Sequence, residues 1–93
     1  MISVNEYFDG NVKSLGYLSA DGKSTVGVID DGEYKFGTST DETMIVIEGE
    51  MDVLLPETSD WKVYSAGQQF QVPANTSFTV KITGQASYLC KYK

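Results

Sequence analysis

A chain of 93 residues suffices for one compact domain, residues 1–93, with a thin stability margin that self-association would widen. The hydrophobic fraction of 41% argues against disorder, and a net charge of −6, with seven lysines and no arginine, offers no basic face for nucleic acid or an anionic membrane. No apolar run approaches the ~20 residues that span a bilayer, and MISVNEYFDG lacks the basic and apolar regions of a signal peptide, so a soluble, cytoplasmic protein is expected.

From the N-terminus, Val4 to Phe8 predicts a short turn of helix or 3₁₀. Asp9-Gly10, Asp21-Gly22, Asp31-Gly32, Gly49, Ala66-Gly67 and Gly84 then punctuate short segments rich in Val, Ile, Tyr, Phe and Thr. Closely spaced turns between such segments predict an all-β sandwich or barrel. Asp31-Gly32, between VGVI and EYKFGT, predicts a hairpin, because both residues tolerate positive φ. In EYKFGT, Tyr34 and Phe36 share one face and Glu33 and Lys35 the other. MIVI (44–47) and VLL (53–55) are apolar on both faces, which predicts that a second subunit covers them. In QFQVP, Phe70 and Val72 form the buried side; in SFTVKIT, Phe78, Val80 and Ile82 do. SYLCKYK predicts a final strand. Its lone Cys90 has no histidine beside it to act as a base, and is expected to be a small buried hydrophobe rather than a nucleophile.

Two spacings carry a resemblance. Glu42-x6-Gly49 resembles the second half of the first cupin motif, and Gly67-x5-Pro73 the start of the second. The glycines suit tight turns between strands, and the proline is expected to open a strand where no ladder N–H is needed. Cupins usually bind a metal through two histidines shortly before that glutamate and one after that proline. Here those positions fall in Lys35-Phe36-Gly37-Thr38 and at about Phe78, none of which ligates a metal as imidazole does, so a metal-free site is expected.

Across nearly the whole chain, NEYFDGNVKS, VGVIDDGEYKFGT, ETMIVIEGEMDVLLPETSDWKVYSAGQQFQVP and SYLCKYK together resemble the pyrimidine/purine nucleoside phosphorylase family of single-domain cupins. The resemblance implies an all-β, single cupin (RmlC-like jelly-roll) β-barrel that forms a homodimer. It implies no cofactor, with inorganic phosphate as co-substrate. The reaction it implies is phosphorolysis of a broad range of purine and pyrimidine nucleosides to free base and ribose 1-phosphate, a pentosyl transfer. The residues alone support a metal-free β-barrel. They leave open a non-catalytic cupin that binds a nucleoside or sugar, and a structural dimer whose barrel is filled by its own side chains.

Such a reaction has three needs, met mainly by positioning and electrostatics. For phosphate, the candidates are Lys13 and the hydroxyl-rich turn Thr38-Ser39-Thr40, with Lys35 weaker because it alternates with Tyr34 and Phe36. Two unit charges ~4 Å apart at an effective dielectric of about 20 interact by about 4 kcal/mol, so one placed lysine outweighs distant surface carboxylates. For the ribose, Glu42 is the chosen carboxylate, with Glu6 and Glu33 as alternatives; Glu48, Glu50 and Asp52 read as a solvated face. For the base, Tyr7, Phe8, Tyr34, Phe36, Trp61 and Phe78 offer rings, and Tyr7, Phe36 and Trp61 are assigned to base and ribose. The leaving base needs a donor, which a tyrosine hydroxyl or an Asn/Gln amide can supply; Tyr34 joins Glu42 as the catalytic assignment. Each residue also has a plainer role: a solvated lysine, a capped loop, a strand-end charge, a core ring.

Overall fold

A computed structural model describes residues 1–93. The strands are β1 (Ser3–Tyr7), β2 (Val12–Ser19), β3 (Gly22–Ile29), β4 (Gly32–Gly37), β5 (Glu42–Glu48), β6 (Glu50–Leu54), β7 (Lys62–Ser65), β8 (Gln69–Val72), β9 (Ser77–Ile82) and β10 (Ala86–Tyr92). They form a six-stranded sheet, β1-β2-β3-β10-β5-β8, and a four-stranded sheet, β4-β9-β6-β7. Every pairing is antiparallel. The arrangement is a jelly roll whose sheets are not hydrogen-bonded to each other into a closed barrel. No helix is long and apolar enough to cross a membrane.

Alternation decides which side chains meet between the sheets. Met44, Val46, Phe70, Val72, Tyr88 and Cys90 project inward from the larger sheet; Met51, Val53, Phe78, Val80 and Ile82 do so from the smaller. All are buried, as the period-two pattern of their segments predicts.

The expected helical turn and the expected hairpin are both corrected. The segment before Gly10 is strand through Tyr7, and the 3₁₀ turn is Phe8–Gly10. Phe8 and Asp9 both take left-handed backbone, at φ 53° and 56°. Their side chains make that unfavourable, but the Phe8 ring gains contacts with Tyr34 and Phe36 across the sheets, at 5.1 and 5.6 Å between centroids. Asp31-Gly32 is a corner between sheets, not a hairpin. The ladder positions of β3 are filled by β2 and β10, and β4 pairs with β9. The Tyr34 hydroxyl fixes the corner by donating to the carbonyls of Asp30 (2.9 Å) and Asp31 (2.8 Å). The Asp31 carboxylate accepts from the Gly84 N–H at 2.8 Å.

Of the motif residues, Gly49 (φ 83°) takes the turn from β5 to β6, where an added β-carbon would lie 2.8 Å from the Gln85 carbonyl oxygen. Pro73 follows β8 rather than opening a strand, and its carbonyl accepts the Thr38 hydroxyl at 2.7 Å. On its outer side the larger sheet carries an apolar row, Val4, Leu15, Val26, Leu89 and Ile45, each in register with the next. Val4, Leu15 and Val26 are exposed.

Candidate functional site

The two sheets separate at one end to leave a cavity of about 380 Å³. Strand register explains its lining as successive inward rows across β3, β10 and β5. Farthest from the Glu42 row along the strands, and outside the lining itself, Val12 and Ala86 flank Ile29, all apolar and buried. Next, Ser14, Gly27, Tyr88 and Val46 stand side by side. Thr25, Cys90 and Met44 follow. The outermost row holds Lys23, Tyr92 and Glu42: Tyr92 pairs with Glu42, and Lys23 lies one residue beyond the Lys91–Ser24 pair. Along the strands the inward side chains thus run from apolar core, through Ser14, Tyr88, Thr25 and Cys90, to the charged Lys23 and Glu42.

Facing this floor is an aromatic wall. Phe36 and Phe78 stack at 5.6 Å and 29°, and Phe8 meets Phe36 edge-on at 85°. Tyr7 and Asn5 complete the side nearest β1, where the Asn5 amide donates to the Ser14 hydroxyl at 3.4 Å. Gly27 makes room for Tyr88: any β-carbon there would overlap the Tyr88 ring.

Glu42 is the only carboxylate lining the cavity. It is half-buried, and desolvation raises its pKa, opposed by the Cys90 thiol, which donates to it at 3.5 Å. Burial pushes the Cys90 thiol up to about 12, with the Glu42 charge adding to the effect. Burial likewise pushes Tyr88 up to about 12 and raises Tyr92, which shares a 3.2 Å hydrogen bond with the Thr25 hydroxyl. The floor thus sets the Glu42 carboxyl and the Lys23 side chain among O–H and S–H groups that burial keeps protonated. Cys90, 1% exposed, lacks the depressed pKa of a nucleophilic thiol.

The expected site residues divide. Glu42, Tyr7, Phe36 and Ser39 come together around the cavity, with Phe8, Phe78 and Lys35. Tyr34 lies behind that wall, 6.4 Å from Phe36 between centroids, and its hydroxyl is committed to the Asp30 and Asp31 carbonyls. It is not placed to donate to a ligand in the cavity. Thr38 is buried and joins loops, donating to the Pro73 carbonyl and accepting the Thr76 N–H at 3.1 Å. Thr40 is half-buried outside the lining. Lys13 alternates with the buried Val12 and Ser14, so it points to the outer side of the larger sheet, opposite Glu6. Trp61 lies on the outer side of the smaller sheet, with the Lys81 ammonium 4.0 Å from its ring centroid. Neither Lys13 nor Trp61 reaches this cavity within the chain.

Lys23, Ser14, Thr25, Tyr88 and Tyr92 were not anticipated. The signal for the tyrosines was present: Tyr88, Cys90 and Tyr92 recur every second residue, so one inward residue implies all three.

Comparison with known proteins gives a consistent result. The family model described as pyrimidine/purine nucleoside phosphorylase matches residues 2–92. A protein of that name from Tolumonas auensis is 52% identical over 93 residues, covering 100% of both chains. A crystal structure of a protein of unknown function from Vibrio parahaemolyticus superposes with a TM-score of 0.96 at 41% identity, covering 100% of this chain and 99% of that one. An RmlC-like cupin from Shewanella frigidimarina, 18% identical, superposes at a TM-score of 0.74 over 97% of this chain and 81% of its own. That likeness shows the cupin fold.

Proposed function

Because the chain belongs to the pyrimidine/purine nucleoside phosphorylase family, we propose that it catalyses phosphorolysis of purine and pyrimidine nucleosides, giving free base and ribose 1-phosphate. The observation that supports this chemistry within the chain is a single desolvated carboxylate, Glu42, at the opening of a cavity walled by stacked rings.

A phosphate oxygen attacks the anomeric carbon. A C–O bond forms as the glycosidic C–N bond breaks, the electron pair leaves with the base, and the proton carried by hydrogen phosphate ends on the base nitrogen. The ribose is cationic in passing. An ionised Glu42 faces that charge or holds the sugar hydroxyls, and its partial burial strengthens the interaction relative to water. Phe8, Phe36 and Phe78 present rings and edges against which any base can pack, which suits a broad substrate range. Tyr88 and Tyr92 line the cavity and keep neutral hydroxyls there, which suits hydrogen bonding to a polar ligand.

The donor set supports a reaction without a metal cofactor, since no three His, Cys, Asp or Glu side chains converge anywhere in the fold. The apolar outer row supports a homodimer in which the larger sheets of two copies face each other.

The test is base release from inosine and from uridine by purified protein, with and without inorganic phosphate. Release that requires phosphate and yields ribose 1-phosphate is expected. Intact nucleoside in the presence of phosphate would overturn the proposal, and nucleoside binding without turnover would favour a sensor instead.

A further inference from the structure

Seven lysines are present, yet only Lys23 and Lys35 line the cavity. Lys35 borders it from β4, but it alternates with the inward Tyr34 and Phe36, so strand parity directs its side chain to the outer side of that strand. Lys23 has the inward parity of Thr25 and Gly27. It forms no ion pair; the salt bridges in the fold are Lys81–Glu33 and Lys91–Asp21. Its ammonium instead lies 5.4 Å from the centroid of the Tyr92 ring, which leaves its hydrogen-bonding capacity free. An unpaired cation at the rim of a cavity, in a chain of net charge −6, is a local inversion of the surrounding field.

Resting on the phosphorylase function proposed above, we propose that Lys23 holds the phosphate and that Lys23, Tyr92 and Glu42 form the line along which the ribosyl group is transferred. The two charged residues stand on β3 and β5 with β10 between them, a backbone span of two strand spacings, or about 9.5 Å at ~4.8 Å each. An ammonium–oxygen contact of about 2.8 Å, an attack distance of about 3–3.5 Å and a second polar contact at the carboxylate fit that span. Phosphate sits at the Lys23 end, the anomeric carbon over Tyr92, and the cationic sugar at Glu42. Thr25, whose hydroxyl bonds Tyr92, and Ser39 supply neutral hydroxyls beside the anion. The assignment moves the phosphate contact from the outward Lys13 to an inward lysine.

The experiment is steady-state phosphorolysis of uridine with phosphate varied, on wild type, Lys23→Gln, Lys23→Arg, Lys13→Ala and the distant control Lys62→Gln, together with a titration of ¹⁵N-labelled protein with inorganic phosphate. In Lys23→Gln the KM for phosphate rises about 10- to 100-fold, the loss of one charge-assisted hydrogen bond, while the KM for uridine changes little. Lys23→Arg restores part of the loss, and Lys62→Gln matches wild type. Phosphate shifts the amides of residues 23–25 and 92 in wild type and not in Lys23→Gln. An unchanged phosphate KM in Lys23→Gln with active wild type overturns the Lys23 assignment and leaves phosphorolysis standing. A phosphate KM that rises in Lys13→Ala and not in Lys23→Gln returns the role to Lys13. Inactive wild type removes the phosphorylase function, and the phosphate-induced shifts then decide the anion site alone. No shift at residues 23–25 overturns that site.

Discussion

Glu42 carries opposed demands. Desolvation raises its pKa in the folded state, so its folded form prefers the proton more than its unfolded form does. The linked stability is fully present below the ordinary carboxylate range and is lost as pH rises through the raised value. Glu42→Gln keeps an acceptor for the Cys90 thiol but carries no charge. It is therefore expected to unfold at a higher temperature than wild type at pH 7, with the gap closing below pH ~4. The same variant should lose activity by about 10²- to 10³-fold, the usual size of a lost electrostatic contact to a transition state. In wild type, the acidic limb of kcat/KM should lie above the range of an unperturbed glutamate. Calorimetry at the two pH values and a pH–rate profile check these outcomes, and a Gln variant less stable than wild type at pH 7 would contradict the desolvation account. Glu42 was legible from the sequence because it is the carboxylate that opens an apolar strand, with six residues between it and a turn glycine. Lys23 was not, because nothing local to ADGKST shows that the strand after the Asp21-Gly22 turn begins by facing inward.

Between elements, the decisive junction is β2, β3 and β10, where Ser14, Gly27 and Tyr88 share a row. Gly27 sits in a strand, where glycine is ordinarily a weakness; here the absent side chain is the space that the Tyr88 ring fills. Gly27→Ala is expected to destabilise by about 1–3 kcal/mol through overpacking, lowering Tm by several degrees for a domain of this size. Moving the Tyr88 hydroxyl away from Ser14 should lower activity as well. Urea unfolding and uridine turnover on the one variant check both, and unaltered stability would show that the ring does not depend on that gap. Strand identity was readable from alternation in QFQV and SFTVKI, where local pattern and burial agree. The destination of each connection was not. Asp31-Gly32 has hairpin chemistry but serves a corner, because besides the nearby Tyr34 hydroxyl it is held by the Gly84 N–H, at a sequence distance a turn signal does not cover.

At the scale of the molecule, the outer row from Val4 to Ile45 is the largest departure from a self-sufficient domain. Light scattering is expected to return about twice the 10.2 kDa chain mass. Val26→Asp, at the centre of that row, should give the monomer while far-ultraviolet circular dichroism still reports strand; a monomeric wild type would refute the dimer. The doubly apolar MIVI announced such a face in the sequence, since Met44 and Val46 fill the core and leave Ile45 and Ile47 outside. The cavity was beyond sequence, because its lining is drawn from β1 to β5, β9 and β10, which only the fold brings together. The graded interior has one more consequence. For the reaction proposed above, a vessel walled by the Phe36 and Phe78 rings and ionic at its lip would sort a guest end for end, the heterocycle against the rings and the phosphorylated sugar at the rim. On that proposal one ring or two would differ only in how far they descend, so a single slot would serve both kinds of nucleoside with the reacting carbon held at the same height.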